Sequence, residues 1–189
     1  GKWLQAATRS GDFDRAEKAF ATFSNRPIGE AYNHLQWAVQ DEINVHRVAL
    51  AWRAWETLEL TGKEHAQTLL RQSVRFCVNS EKNRLARKRP APEIRTLLPR
   101  LLDEHKLLSR KLGKRKADDK WISEFANTVF KGTRPQAAEA AATALAEGFS
   151  PETVSEGISL AANMLVLHDR GRTKARPNKP VGSVHGDSI

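Results

Sequence analysis

The side chains able to do chemistry are few: six histidines, one cysteine and scattered carboxylates in 189 residues. His46 and Arg53 are seven apart, two helical turns, so on one helix they share a side, with Glu42 and Thr57 continuing the polar seam. An imidazole and a guanidinium so placed suit acid–base work near neutral pH or the holding of an anion. His185 and Asp187 flank Gly186 in V-H-G-D-S, and His168 closes an apolar helical stripe. His46, His168, His185 and Asp187 therefore form a candidate ligand set for a divalent metal such as iron or zinc. His46, Arg53 and His185 are the candidate catalytic residues, and Trp52 and His168 the candidate cofactor contacts. Each has a plainer reading beside it. His46 could be a hydrogen-bonded core histidine, His168 a cation favoured by a helix end, Arg53 the partner of Glu42 or Glu56, and Trp52 core. No H-E-x-x-H, E-x-x-H or CxxC pattern accompanies them.

The elements that must position these groups are helices. Glu42 to Cys77 is expected to form two long ones, about Asp41 to Leu60 and Lys63 to Ser80, joined at Thr61-Gly62. At 100° per residue, Val45, Val48, Ala49, Trp52 and Trp55 make one apolar stripe of the first, with Ala51, Ala54 and Leu58 across from it. Both faces are expected to be covered, leaving the His46–Arg53 seam between them. Ala66, Leu69, Leu70, Ser73 and Cys77 form the stripe of the partner. Counting from the turn decides which groups can meet. His46 lies sixteen residues before Gly62 and His65 three after it, which separates them by roughly 20 Å along the axis. Cys77 is level with His46 instead. A lone cysteine allows no internal disulfide and is commonly a small buried hydrophobe.

Start signals mark further helices at Asp12, Thr133-Arg-Pro135 and Ser150-Pro151-Glu152, and another is expected from Asp118 to Phe130. Pro99 is expected to delay the helix around it, whose clear part is Arg100 to Leu112. No run alternates with the period of a strand. The expected fold is an all-α, irregular bundle of about eight helices over residues 1–168. Residues 169–189, rich in Gly, Pro and basic side chains, are expected to be an arm or loop.

Thirty-one Lys and Arg against 22 Asp and Glu leave a net charge of +9, which points to an anionic partner. The cations concentrate in Lys82 to Arg95, Lys111 to Lys116 and Arg170 to Lys179. Two functions follow from these features. In the first, the His/Arg seam holds a metal or small ligand, in an oxidoreductase. In the second, a non-catalytic binding or scaffold module docks nucleic acid or an acidic protein through Lys82, Arg84, Arg87, Lys88, Arg89, Lys114, Arg115 and Lys116. Further copies of the chain are also among the expected partners. No apolar run is long enough to span a membrane. The start at Gly1 suggests a piece of a longer chain, with the cytoplasm favoured over other compartments.

Two resemblances add to this. G-F-S-P-E-T-V-S-E-G-I-S-L-A-A-N-M-L-V-L-H-D, about twenty residues from Gly148, resembles a helix of the carboxymuconolactone decarboxylase and AhpD-like family of all-helical oxidoreductases and decarboxylases. The CxxC of its thiol-redox branch is absent here, so that chemistry does not carry over. The order of a His/Arg/Trp helix, G-x-x-H-A-x-x-L-L-R, L-V-L-H-D and V-H-G-D-S is similar to that of a poorly characterised bacterial all-helical family. The resemblance implies attention to His46, His65, His168 and His185, and a chain continuing past Ile189.

Overall fold

The computed structural model describes residues 1–168, and His185, Asp187 and the basic run after Asp169 lie outside them. Among the described residues the fold is all-α: nine helices of eight or more residues and two short helical turns, with no strand beyond a single isolated bridge. By proximity the chain forms two compact units, Gly1–Arg95 and a second beginning at Thr96.

The first unit contains α1 (Lys2–Arg9), α2 (Phe13–Ala21), α3 (Ile28–Val39), α4 (Val45–Glu56), the four-residue α5 (Leu58–Thr61) and α6 (Ala66–Ala86). Asp12 starts α2 by accepting from the Arg15 amide at 3.0 Å, and Asn44 starts α4 by accepting from the His46 amide at 2.9 Å. Between α5 and α6 the chain turns at Gly62, whose φ of +94° is a conformation that side chains resist. α6 is the hub, in contact with α1, α2, α3 and α4. Its stripe Leu70, Val74 and Val78 is fully buried against Leu4, Phe20 and Leu35, each such side chain contributing about 1.5–3 kcal/mol.

Two details depart from the sequence pattern. α6 runs to Ala86, six residues past the expected Ser80, so the basic connector begins inside a helix. Lys and Arg are good helix formers, and their charges on the solvent face do not break it.

The other departure concerns α4. Its buried face is Arg47, Ala51 and Ala54, continued by Leu58, whereas Val45, Val48 and Trp52 are exposed. Small alanines let α4 approach α6 closely, so the bulkier stripe is left outside.

The second unit holds most of α7 (Ile94–Glu104), α8 (Asp119–Lys131), α9 (Arg134–Ala146) and α10 (Pro151–Leu167). α7 begins five residues before Pro99 and carries it internally, ending well short of Leu112. The capping signals are all used. Asp118 accepts from the Trp121 amide, Thr133 and Gln136 form a capping box, and Ser150 accepts from the Thr153 amide.

The core of this unit is aromatic. Trp121 stacks on Phe125 at 5.0 Å and on Phe149 at 4.0 Å, and Gly157 lets α10 lie against the Phe125 ring. Beside it the segment before α8 pairs with the α9–α10 turn: the Arg115 amide donates to Gly148 O at 3.0 Å, and the Ser150 amide to Arg115 O at 2.9 Å. A side chain at Gly113 would strike the Gly148 carbonyl at 2.1 Å, so that approach requires glycine.

Candidate functional site

The polar groups that converge in the first unit are not the histidines. Arg47, Glu81 and Asp41 are each about 1% exposed, the charged residues of the core. The Arg47 guanidinium donates to Ala38 O at 2.7 Å, to Glu81 Oε1 at 3.0 Å and to Cys77 O at 3.4 Å, with Glu42 Oε2 at 3.2 Å. Glu81 is also met by Arg84, whose Nε donates to Oε2 at 3.0 Å, and by Arg95. Arg95 Nε donates to the Asp41 carbonyl at 3.0 Å, which joins this cluster to a second. There Arg9 grips the Asp41 carboxylate with two bonds of 2.7 Å, and Gln5 Nε2 adds a third of 2.8 Å. That bidentate bond pushes the Arg9 pKa further up, against the pull of burial.

Four guanidiniums thus stand against the carboxylates of Asp41, Glu42 and Glu81, one positive charge in excess. A guanidinium is a fixed-fork donor and not a general acid in proteins, so the arrangement is an ionic clamp. Arg47 Nε and the Ser73 hydroxyl are buried with no partner among the described residues. Cys77 is buried beside the clamp. Desolvation pushes its thiol up to about 11 despite the nearby Arg47 charge, so it stays an unreactive thiol at neutral pH.

The sequence-derived candidates are placed differently. His46 and Arg53 are exposed on α4, and neither side chain has a polar partner among the described residues. The level expected for His46 is correct to one residue, since its ring lies 5.9 Å from that of Phe76. The next residue, Arg47, is the one that turns inward, and it takes up Glu42 as well. The seam is therefore not enclosed: Trp52 is 52% exposed, and Thr57 bonds its own helix at Arg53 O. His65 is exposed beside Glu64. His168, in the second unit, is exposed at the end of α10 with its ring 5.5 Å from Phe130. Among the described residues no group of three or more His, Cys, Asp and Glu could hold a metal.

Sequence reasoning passed over Arg47 and Glu81, yet a signal was there. Arg47 extends the Ala51–Ala54–Leu58 stripe back by one turn, and Glu81 extends Leu70–Val74–Cys77 forward by one. Opposite charges prolonging the apolar stripes of two facing helices mark a buried pair.

The surface carries a second feature. α6 and α7 end in the same way. Lys88 and Lys106 adopt left-handed backbone, φ +51° and +53°. Their amides donate to Leu85 O and Asp103 O, and those of Arg89 and Leu107 donate to Arg84 O and Leu102 O. This is the Schellman arrangement, in which glycine is the usual residue. Lys106 opens one cationic segment and Lys88 lies near the end of the other.

In the first unit Arg84 is consumed by the clamp and Lys82 sits over the Phe13 ring, which leaves Arg87, Lys88 and Arg89 outermost. In the second, residues 106–116 carry Lys106, Arg110, Lys111, Lys114, Arg115 and Lys116, all exposed and without a carboxylate in the stretch. Arg110 donates to Ala146 O and Arg115 lies over Phe149 at 4.2 Å; none of the six forms an ion pair among the described residues. An open cleft of about 640 Å³ adjoins them, lined by Leu112, Lys114, Lys116 and the first turn of α10 with Glu152 and Glu156.

No family model, curated protein or solved structure matches the chain.

Proposed function

We propose that the protein is a helical binding module that docks a polyanionic partner through its two cationic segments, residues 82–89 and 106–116. What carries this reading is the second segment: six exposed cations in eleven residues, with no internal counter-charge and no ion pair among the described residues. Elsewhere in the described residues several exposed arginines meet a carboxylate. Arg71 and Arg75 share Glu17, Arg100 meets Glu104, and Arg26 meets Glu30. Six cations in one stretch without a counter-charge keep their field for a partner. This reading stands ahead of an oxidoreductase built on His46 and Arg53, because both of those side chains face solvent without a shared partner. The test is binding of a fluorescent polyanion, such as heparin or a duplex oligonucleotide, at 50 and 200 mM salt. Five neutralised phosphates would lower affinity by about 10²–10³-fold over that range. Salt-independent binding, or none, refutes the proposal.

A further inference from the structure

Residues 106–116 hold more than charge. Leu108 is 74% and Leu112 73% exposed, among the most exposed large apolar side chains of the described residues. Each is flanked closely by cations, in the order Lys106, Leu108, Arg110, Lys111, Leu112, Lys114. Nucleic acid has no use for aliphatic side chains at the level of its phosphates. It rewards aromatic faces that stack on bases, and this segment has none. An anionic bilayer has use for both features, since its headgroups attract the cations and its acyl boundary accepts the leucines.

From this juxtaposition we infer that residues 106–116 form a peripheral docking site for an anionic lipid surface. This rests on the polyanion reading above and names its partner. The contact proposed is peripheral; no helix among the described residues is long and apolar enough to cross a membrane. The backbone suits the task. The segment is held at one end by the left-handed turn at Lys106 and at the other by the Arg115–Ser150 pairing, so the leucines are presented from a fixed loop. Arg115 is braced on Phe149 and Arg110 on the Ala146 carbonyl, which leaves the four lysines to meet headgroups. Glu152 and Glu156 line the adjoining cleft with Lys114 and Lys116 and offset part of their field, and a neutral membrane offers these cations no counter-charge.

The experiment is co-sedimentation of the whole chain with large vesicles of phosphatidylcholine, with and without one-third phosphatidylserine. The variants are Leu108→Ser/Leu112→Ser and Lys111→Gln/Lys114→Gln/Lys116→Gln. All five positions are exposed, and unchanged circular dichroism confirms that the fold is kept. Binding is expected only with phosphatidylserine, reduced about 10–100-fold by the leucine changes and about 100-fold by the lysine changes. Heparin binding should fall with the lysine changes and be indifferent to the leucine changes. Polyanion binding with vesicle binding absent, or vesicle binding insensitive to the leucines, overturns the lipid inference and leaves the broader reading standing. Nucleic-acid binding lost on leucine substitution assigns the segment to that partner and overturns it too. No binding to vesicles, heparin or oligonucleotide overturns both.

Discussion

Replacing Glu81 by Gln keeps the shape of the side chain and removes one buried negative charge, so it isolates what that charge does. Arg47, Arg84 and Arg95 all point at this carboxylate, and their side chains are 0%, 17% and 10% exposed. Without it the one carboxylate left to Arg47 among the described residues is Glu42, itself one-third exposed, at 3.2 Å. Loss of one partner from a buried pair costs about 3–5 kcal/mol, a large share of the roughly 5–15 kcal/mol by which a domain is stable. Arg47→Met should cost less, about 1–3 kcal/mol, because Glu81 keeps Arg84 and Arg95 and the chief loss is the 2.7 Å bond to Ala38 O. Urea unfolding followed by tryptophan fluorescence measures both, since Trp3, Trp37, Trp52 and Trp55 lie in the first unit and only Trp121 in the second. Equal m-values across the variants would show that the same surface unfolds. The reasoning fails if Glu81→Gln costs under about 1 kcal/mol, or if Arg47→Met proves the more damaging of the two.

Other perturbations test other parts of the account. Gly157→Ala would set a methyl 2.4 Å from the Phe125 ring and force the aromatic stack apart; a loss of about 1–3 kcal/mol in the second unit is expected, read from Trp121 emission. Lys88→Gly and Lys106→Gly relieve left-handed backbone and should each stabilise by about 1 kcal/mol, while weakening polyanion binding in the same preparations. Cys77 gives a pH signature. Its folded thiol holds a proton up to about 11, whereas the unfolded thiol loses it near 9.0. Stability should therefore fall as pH climbs from 9 toward 11, by on the order of 2–3 kcal/mol, and Cys77→Ala should remove that slope in urea titrations.

The helical fold was legible because its signals are local. Asp12, Asp118, Thr133 and Ser150 each start a helix where their types predict. Gly62 turns the central hairpin, and the level of Cys77 followed from counting outward from it. What failed was the expectation that both faces of α4 are covered. Val45, Val48 and Trp52 are more apolar than Ala51 and Ala54, and hydrophobicity alone ranks them inward. Packing chose the smaller residues, because closeness between α4 and α6 matters more there than bulk. The error carried the site with it. Turning α4 outward exposes His46 and Arg53 and brings in Arg47, whose charge had argued for the surface. Pro99 misled in a similar way: one lost hydrogen bond did not stop α7 from starting at Ile94. The cationic segments were visible as composition, but their exposure and lack of partners were not.

The ionic clamp has a consequence for how the first unit is assembled. Its members are Gln5, Arg9, Asp41, Glu42, Arg47, Glu81, Arg84 and Arg95, drawn from segments far apart in the sequence. An apolar contact tolerates a slide of one helical turn, about 5.4 Å, if another leucine arrives in place of the first. The clamp does not. Were α6 to dock one turn out of step, Val78 or Leu85 would face Arg47, and two opposite charges would be buried apart. Such an arrangement could keep its greasy contacts and still be ejected. These residues act as a key that fits one alignment of the helices, and they proofread the packing that the alanines and leucines drive.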